Sequence, residues 1–379
     1  MHIIFLTHEY PKQGLNSGGV GSFVNYLAES LVKNGIIVSV VGINNNYNNE
    51  KSIVKGVNIY RIKLSKWKYA KFLQNTIRIR RLLFEINKKT PIDIVEGSEL
   101  SFAFLPLKTN YTKVIRMHGG HHFFSLELNS KPAFWRSYQE RKSFYKADAF
   151  IAVSNYVGNQ TKKYLDLDFN FVTIYNSVNT EKFKPSMANN IKKNSILFVG
   201  TICEKKGIKD LILAMKIVLN RFPDAKLNVV GRDWFFKNGD SYINFLKTHI
   251  LTTDIIESIN IIGPIPHEEI PSIIDETEIC VYPSHMEAMP IAWLEGLAKG
   301  KPIVGTDIGP GREAIIDRET GLLATPYSEK DLADKIIYLL NNKDEAVKMG
   351  ESARKDILLR FNSEYIVNKN LNFYSSLIN

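Results

Sequence analysis

Short apolar runs alternate along the chain with longer stretches in which apolar residues recur at helical spacing. The first apolar run, residues 3–6, precedes a helical pattern over 23–31. After a polar stretch at 176–194 the same alternation begins again, with an apolar run at 196–199. Alternating strands and helices predict parallel sheets, and the double start predicts two of them. The expected fold class is therefore α/β, with two doubly wound Rossmann-like domains facing a central cleft.

The polar stretch sets the expected domain boundary. We predict an N-terminal domain at 1–184 and a C-terminal domain at 185–362. The last amphipathic segment, 363–379, is expected to pack back on the N-terminal domain. A chain of 379 residues, 44% of them hydrophobic, is long enough for two or three domains with complete cores.

Charge is distributed unevenly between the two halves of the sequence. Residues 1–185 contain 26 Lys and Arg against 13 Asp and Glu, whereas the remaining residues contain 23 against 26. The net charge of +10 thus arises entirely in the first half. This excess indicates an anionic partner, such as membrane headgroups, an anionic acceptor or nucleic acid, or else a merely soluble basic surface.

The densest positive charge lies at residues 61–89, where ten basic residues stand against the single acid Glu85. Trp67, Tyr69 and Phe72 are interleaved with them. This composition fits an interfacial amphipathic helix on an anionic membrane surface. It also fits a basic helix packed on a sheet through its apolar residues, and the sequence leaves both interpretations open.

The termini and cysteines bear on the compartment. The N-terminal apolar run is too short for the core of a signal peptide and has no basic residue before it. No apolar run is long enough to span a bilayer. Cys203 and Cys280 match no metal-binding spacing, and so few cysteines are typical of a reducing compartment. We therefore expect a cytoplasmic protein, with any membrane contact peripheral and at the inner face.

Residues able to bind ligands follow several predicted strands, at the strand ends where open α/β sheets bind ligands. Gly18 and Gly19 lie in the glycine-rich loop after the first strand, where they fit either close approach to a phosphate or a tight turn. His118 opens a run of three histidines in five residues after a later strand. Their spacing does not match a metal site, so we expect a ligand-binding role without a metal.

The stretch from 284 to 296 combines a strand end, a loop and a helix start. Glu287 lies in the loop, Pro290 suits the first helical turn, and Glu295 lies about five residues further, roughly 7–8 Å along the helix axis. The free N–H groups of a helix start form an anion site. An anion bound there would have a carboxylate on each side, which suits a diphosphate with a polyhydroxylated group at each end.

Four motifs together resemble glycosyltransferase family 4. They are Glu287-x7-Glu295 at a loop-to-helix corner, Gly200-x5-Lys206-Gly207, the Gly18-Gly19 loop and the His118-Gly119 strand end. The resemblance extends over nearly the whole chain and is strongest at 196–326. It implies a retaining, metal-independent enzyme of the GT-B fold, without a cofactor, that uses a nucleotide-diphosphate sugar as donor. The donor would bind mainly the second domain and the acceptor mainly the first.

The resemblance assigns a role to each matching residue. Lys206 would neutralise the donor diphosphate as charge develops on the leaving group. Glu287 would bind hydroxyls of the donor sugar, Glu295 would bind the ribose hydroxyls, and His118 would contact the sugar near the reacting carbon. Further donor contacts would come from Gly18, Gly19, Ile265, Pro266, Met289, Pro290 and Ile291.

One position departs from the family pattern. Thr201 stands where much of the family has an arginine that joins the lysine on the phosphates. A threonine can donate one hydrogen bond but carries no charge. Arg232, at the end of the next strand, is either the replacement cation or merely part of the nucleotide site.

The resemblance implies transfer of a hexosyl or N-acetylhexosaminyl group to a glycan or lipid-linked acceptor in cell-surface polysaccharide synthesis. Contact with an anionic membrane through residues 61–89 would accompany it, and nucleic acid is not an expected partner. Two alternatives stay open. One is a sugar-nucleotide epimerase of the same fold, and the other is a non-catalytic nucleotide-sugar-binding protein, which the uncharged Thr201 makes conceivable.

Overall fold

The computed structural model describes residues 1–11, 19–44, 48–65, 71–186 and 190–378. The chain divides into two compact units. Unit 1 comprises Met1–Asn176 together with Ile366–Asn379, and unit 2 comprises Ser177–Tyr365. The boundaries expected from the sequence, after 184 and after 362, lie near the two ends of unit 2.

The strands of unit 1 are β1 (His2–Leu6), β2 (Ile37–Asn44), β3 (Glu50–Val54), β4 (Val57–Lys63), β5 (Ile94–Gly97), β6 (Thr112–Met117), β7 (Ala149–Ala152) and β8 (Val172–Thr173). The helices within its first part are α1 (Gly19–Lys33), α2 (Lys71–Lys89), α3 (His121–Glu127), α4 (Phe134–Lys146) and α5 (Asn155–Leu165).

The strands of unit 2 are β9 (Ser195–Val199), β10 (Lys226–Val230), β11 (Ile259–Gly263), β12 (Ile279–Val281), β13 (Ile303–Thr306) and β14 (Leu322–Ala324). Its helices are α6 (Ile208–Arg221), α7 (Tyr242–His249), α8 (Ile270–Asp275), α9 (Ile291–Ala298), α10 (Gly311–Ala314), α11 (Glu329–Asn341) and α12 (Lys343–Arg360). The last helix, α13 (Ser363–Ser376), belongs to unit 1 from Ile366 onward.

Each unit contains one sheet with the connectivity of a doubly wound fold. The order is β3-β4-β2-β1-β5-β6-β7-β8 in unit 1 and β11-β10-β9-β12-β13-β14 in unit 2. Central strands such as β5 and β13 are buried at every position, as expected for strands covered on both faces. The predicted α/β class, with parallel sheets in two doubly wound units, is confirmed.

The edge of the sheet in unit 1 departs from the expected alternation of strands and helices. β3 and β4 pair antiparallel through a two-residue turn at Lys55 and Gly56. Both turn residues have positive φ, +48° and +81°, which is the geometry that matches the twist of a tight hairpin. The sequence did not predict β3, and its pairing differs from that of the parallel strands because a short loop can join only antiparallel neighbours.

The basic region at 61–89 contains the end of β4 and the whole of α2. α2 buries Leu83 and Ile86 and leaves Leu73 and Phe84 exposed. The apolar residues of the helix therefore divide between the packed core and the surface. Trp67 and Tyr69, which the sequence-based interpretation emphasised, lie outside the described residues.

Candidate active site

The predicted site residues of unit 2 lie near the point where the strand order reverses, between β9 and β12. β9 and β12 are neighbours in the sheet, with Ile279 opposite Ile196. Loops that follow two such strands flank the crevice in which open α/β sheets bind ligands. The loop after β9 contains Lys206, and the loop after β12 contains Glu287. The topology thus brings together residues that are far apart in sequence.

A glycine allows these two loops to touch. The 3-10 turn Glu204–Lys206 ends at Gly207, whose φ of +67° is left-handed. A Cβ at Gly207 would lie 1.8 Å from the carbonyl oxygen of Pro283. The N–H of His285 donates to the carbonyl of Lys205 at 2.8 Å. The two backbones are therefore in direct contact at a position that only glycine accommodates.

This contact joins Lys206 to Glu287. The Lys206 ammonium forms a hydrogen-bonded ion pair with Oε1 of Glu287. The same oxygen accepts the hydroxyl of Ser284 at 2.8 Å. Ser284 is held in turn by Thr306, whose hydroxyl donates to the Ser284 carbonyl at 2.5 Å. Glu287 is buried, whereas 24% of the Lys206 side chain is exposed, so the cation remains accessible from solvent.

The electrostatic surroundings keep Glu287 ionised. Burial alone would raise its pKa, but the charges of Lys206 and Lys205 and the hydrogen bonds from Lys206 and Ser284 outweigh it. The pKa of Glu287 consequently lies below its usual range. At neutral pH the loop therefore presents a fixed carboxylate beside a fixed ammonium.

A second contact, which the sequence did not indicate, supports the same two loops. His285 Nε2 lies 2.7 Å from Oδ2 of Asp210, in the first turn of α6. The His285 ring also packs on Tyr327, with the ring centroids 3.9 Å apart. These contacts tie the loop after β12 to the helix that follows Gly207. They therefore restrain the segments that flank Lys206 on one loop and Glu287 on the other.

Helix α9 positions Glu295. The helix begins at Ile291, one residue later than the first turn in which the sequence placed Pro290. The Pro290 carbonyl instead caps the helix, accepting the N–H groups of Trp293 and Leu294 at 3.2 and 3.3 Å. Trp293 and Leu294 bury one side of α9 in the core. Glu295 follows them, itself buried.

Glu295 is held by a histidine that the sequence did not single out. His267 Nε2 lies 2.7 Å from Oε1 of Glu295, and His267 Nδ1 lies 2.8 Å from Nζ of Lys182. An ammonium can only donate, so Nδ1 accepts and Nε2 carries the proton directed at Glu295. The arrangement fixes one neutral tautomer of His267, which orients the carboxylate.

Arg232 lies beside Thr201. Its Nε is 3.4 Å from Oγ1 of Thr201, and its carbonyl accepts the N–H of Ile202 at 2.9 Å. Its guanidinium is exposed to solvent. An exposed cation therefore lies next to the position where the family pattern has an arginine.

The other predicted donor contacts are also in unit 2. Ile265 and Pro266 lie in the loop between β11 and α8, where the Pro266 carbonyl accepts the N–H of Glu269 at 3.0 Å in a turn. Met289 is buried in the loop before α9. Ile291 is the first residue of α9, and the first N–H groups of a helix have no partner within it.

In unit 1, His118 follows the end of β6. Its ring packs edge-on against Phe23 of α1, with the centroids 5.8 Å apart. Burial and, secondarily, the charge of Arg116 lower the pKa of His118 to about 3, so its imidazole is neutral at physiological pH. Gly19 is the exposed first residue of α1, and Gly18 lies outside the described residues.

Arg116, on β6, is the centre of a buried polar network. Its guanidinium donates to both oxygens of Glu96, at 2.7 and 3.1 Å. It also donates to Asn370 at 2.5 Å and to Tyr374 at 3.0 Å, both on α13. The guanidinium carbon lies 5.0 Å from the centroid of the Phe23 ring. Helix α13 thus completes the core of unit 1 beneath the strand end.

Two further carboxylates lie under the histidine-rich loop. Glu140 of α4 accepts the backbone N–H of His122 at 2.9 Å and is hydrogen-bonded to Nδ1 of its ring. A Cβ at Gly120 would lie 1.8 Å from Oε1 of Glu140 and 2.9 Å from Cγ of Glu99. Burial, followed by the charge of Glu140, raises the pKa of Glu99 to about 8. Glu99 therefore keeps its proton at neutral pH.

The predicted residues thus fall into two groups, each described within its own unit. Unit 2 contains Thr201, Lys206, Arg232, Ile265, Pro266, Glu287, Met289, Pro290, Ile291 and Glu295, and unit 1 contains Gly19 and His118. Among the described residues, no group of three or more His, Cys, Asp or Glu is arranged to hold a metal ion. No helix in the described ranges has the length and apolar character needed to cross a membrane.

The supporting residues Ser284, His285 and His267 were missed. His267 follows a strand end, which is the signal that identified His118, so the same reasoning could have found it. The role of Ser284 depends on a contact within the loop and has no sequence signal of its own.

Two family models match the chain. The model described as glycosyl transferases group 1 matches residues 179–356. The model described as glycosyltransferase family 4 matches residues 17–182. A protein of Methanocaldococcus jannaschii named as an uncharacterised glycosyltransferase is 27% identical over 313 residues, which is 81% of this chain and 81% of that protein.

Solved structures are similar over the full length. Sucrose-phosphate synthase from Thermosynechococcus elongatus has a TM-score of 0.85 at 18% identity, covering 99% of this chain and 98% of that one. Anabaena HepE, solved in complex with UDP-glucose, has a TM-score of 0.77 at 16% identity, covering 99% and 100%. At these identities the similarity concerns the fold, and it confirms the predicted GT-B class.

Proposed function

We propose that this chain, which belongs to the family 4 type of glycosyltransferases, is a retaining, metal-independent transferase. Its donor would be a nucleotide-diphosphate hexose or N-acetylhexosamine, and its acceptor a glycan or lipid-linked glycan of a cell-surface polysaccharide. The observation that carries the proposal is the Lys206–Glu287 ion pair at the strand-order reversal of unit 2.

Lys206 would act on the leaving diphosphate. An ammonium has three N–H donors, so Lys206 can remain bound to Glu287 while it donates to phosphate oxygens. The cation is held in place before the donor binds, and stabilisation of the developing charge would therefore need little reorganisation. Arg232 beside Thr201 would add the second positive charge at the phosphates.

The two glutamates would orient the ends of the donor. Glu287 is ionised and would accept hydrogen bonds from sugar hydroxyls. Glu295, oriented by His267, would accept those of the ribose. Between them, the N–H groups at the start of α9 would contact the phosphates. The bound UDP-glucose in HepE makes UDP-sugars the first donors to test.

His118 would serve the sugar rather than the phosphates. Its pKa of about 3 means that the ring is neutral, so one nitrogen donates and the other accepts. A retaining hydrolase would need a carboxylate nucleophile about 5 Å from an acid. We instead propose transfer on one face of the sugar, with the leaving phosphate oxygen helping to take the proton of the acceptor hydroxyl.

Donor turnover tests this function. Thermal-shift measurements with a panel of nucleotide-diphosphate sugars would identify the donor. Release of free nucleoside diphosphate, with water receiving the sugar when no acceptor is added, would then be measured with and without EDTA. We expect release to persist in EDTA and to fall by about 10²–10³-fold in Lys206→Met, the loss typical of one missing donor to a developing charge. Lys209→Met, which changes an exposed lysine of α6, is the matched control and should keep wild-type turnover.

The products separate the alternatives. Nuclear magnetic resonance of the glycosylated product should show the anomeric configuration of the donor. Conversion of the donor into its epimer without any acceptor would instead indicate an epimerase. If the wild type binds the donor but releases nucleotide no faster than Lys206→Met, the chain would be a non-catalytic binding protein.

A further inference from the structure

Helix α4 of unit 1 carries a row of exposed aromatic side chains. Phe134 is 86% exposed, Trp135 53%, Tyr138 44% and Tyr145 76%. Phe134, Tyr138 and Tyr145 recur at helical spacing, so they share one side of the helix. We call these four residues the aromatic face. Exposed aromatic residues grouped in this way mark an interaction site rather than ordinary surface.

The rings of this face are stacked on one another. Trp135 lies between Phe104 and Tyr138, at centroid distances of 6.0 and 5.7 Å and interplanar angles of 28° and 22°. Nζ of Lys142 lies 4.9 Å from the Phe104 centroid and 5.3 Å from that of Tyr138. Trp135 therefore stacks on two other rings and is still 53% exposed. Its exposed edges suit a bilayer interface.

The charge around the aromatic face has one sign. Lys131, Arg136 and Arg141 are exposed. Within Phe134–Lys146, all of which the structure describes, the one acidic residue is Glu140, and it is completely buried. The solvent side of α4 is therefore cationic and aromatic, which is the composition of a peripheral membrane-binding helix.

We propose that the aromatic face of α4, with its flanking basic residues, docks unit 1 on an anionic lipid surface. The rings would enter the headgroup region, and the basic side chains would contact the lipid phosphates.

The same helix connects the docking surface to the candidate site. On its buried side, Glu140 accepts the backbone N–H of His122, in the first turn of α3, which directly follows the loop that begins at His118. The loop and the lipid surface would therefore lie on opposite sides of one helix, whose diameter is about 10 Å. This placement, taken together with the proposed function on which it rests, indicates that the acceptor is a lipid-anchored glycan.

Vesicle sedimentation of the full chain tests the docking without any donor or acceptor. We expect binding to vesicles of phosphatidylcholine with phosphatidylglycerol, and little binding to phosphatidylcholine alone. Replacing Phe134 and Trp135 together by serine should weaken binding about tenfold for each ring that no longer enters the interface. Replacing Arg136 and Arg141 by serine should weaken it about fivefold for each charge, and added salt should reproduce this loss.

Two matched controls locate the contact. Phe84→Ser removes a ring from α2 of the same unit whose exposure, 71%, lies between those of Trp135 and Phe134, and Leu359→Ser removes an exposed apolar residue from unit 2. We expect both variants to bind vesicles as the wild type does. Quenching of tryptophan fluorescence by brominated phosphatidylglycerol should decrease in Trp135→Phe, which leaves three of the four tryptophans in place.

Several results would overturn the proposal. One is that the protein does not bind anionic vesicles, and another is that it binds neutral vesicles equally well. A third is that Phe84→Ser loses binding while the α4 variants keep it. Capture of a protein partner by the aromatic face without vesicle binding would do the same. Hydrolysis of a soluble donor, in which water receives the sugar, does not require the membrane, so the α4 variants should keep it. Loss of the proposed catalytic function would be seen separately in this hydrolysis.

Discussion

Replacing Gly207 by alanine should destabilise unit 2 through two separable effects. The first is conformational, because a residue with a Cβ at a φ of +67° costs about 1–2 kcal/mol. The second is steric, because that Cβ would lie 1.8 Å from the Pro283 carbonyl and force the two loops apart. Crowding of this kind costs about 1–3 kcal/mol. The total loss in the free energy of unfolding should therefore be about 2–5 kcal/mol.

A second glycine of unit 2 isolates the steric effect. Gly239 has a φ of +92°, and a Cβ there would meet nothing within 4 Å. Gly239→Ala should thus show only the conformational cost. For a unit of this size, 1 kcal/mol shifts the melting temperature by about 2–4 °C. We expect shifts of about 2–8 °C for Gly239→Ala and about 4–20 °C for Gly207→Ala.

Differential scanning calorimetry of the three proteins measures these shifts, and nucleotide release measures the consequence for the site. Gly207→Ala should lose turnover, since Lys206 and Glu287 belong to the two loops that would separate. Gly239→Ala should keep it. If Gly207→Ala melts no lower than Gly239→Ala, the two loops do not approach as closely as described. The explanation that Gly207 allows Lys206 and Glu287 to pair would then be wrong as well.

Three further predictions concern single side chains. Arg232→Ala should lower turnover at saturating donor about 10–100-fold, the range for a charge-assisted hydrogen bond, and adding Thr201→Arg should restore it; unchanged turnover would remove Arg232 from the chemistry. His267→Ala should raise the KM for the donor about tenfold with kcat nearly constant, because it loosens Glu295 without touching the reacting atoms; an equal loss in kcat would argue against a positioning role. Glu99 titrates near pH 4 when unfolded and at about pH 8 when folded, so the folded protein binds the extra proton and stability should fall as pH rises through this window. Glu99→Gln should flatten that slope in melting curves measured from pH 5 to 8, and an unchanged slope would show that Glu99 is not its cause.

The fold could be predicted because its signals are repeated along the chain. Apolar runs of strand length, separated by helical periodicity, specify buried parallel strands in both halves. The β3–β4 hairpin was missed because its turn, Lys55 and Gly56, is only two residues long and follows an asparagine-rich stretch that reads as loop. A pair of runs separated by two residues, the second a glycine, was the available signal.

The site was predicted where a residue lies at a strand end and missed where it depends on distant contacts. Lys206 and Glu287 follow strands, and their roles came with the motif. That the two form an ion pair depends on the strand order, which places β9 next to β12 although β9 ends at Val199 and β12 ends at Val281. The hydrogen bond between His267 and Glu295 joins a loop to a helix, and neither sequence periodicity nor spacing could have predicted it.

The return of the chain to unit 1 has a consequence for its synthesis. The guanidinium of Arg116 has two of its partners, Asn370 and Tyr374, on α13. A ribosome makes all of unit 2 between these segments, which at about 5–20 residues per second takes roughly ten to forty seconds. Throughout that interval the guanidinium of Arg116 in the nascent unit 1 would lack its two partners on α13. Unit 1 should therefore complete its folding after unit 2, although most of it is synthesised first. In stalled nascent chains, unit 1 should remain sensitive to protease until α13 has emerged from the ribosome.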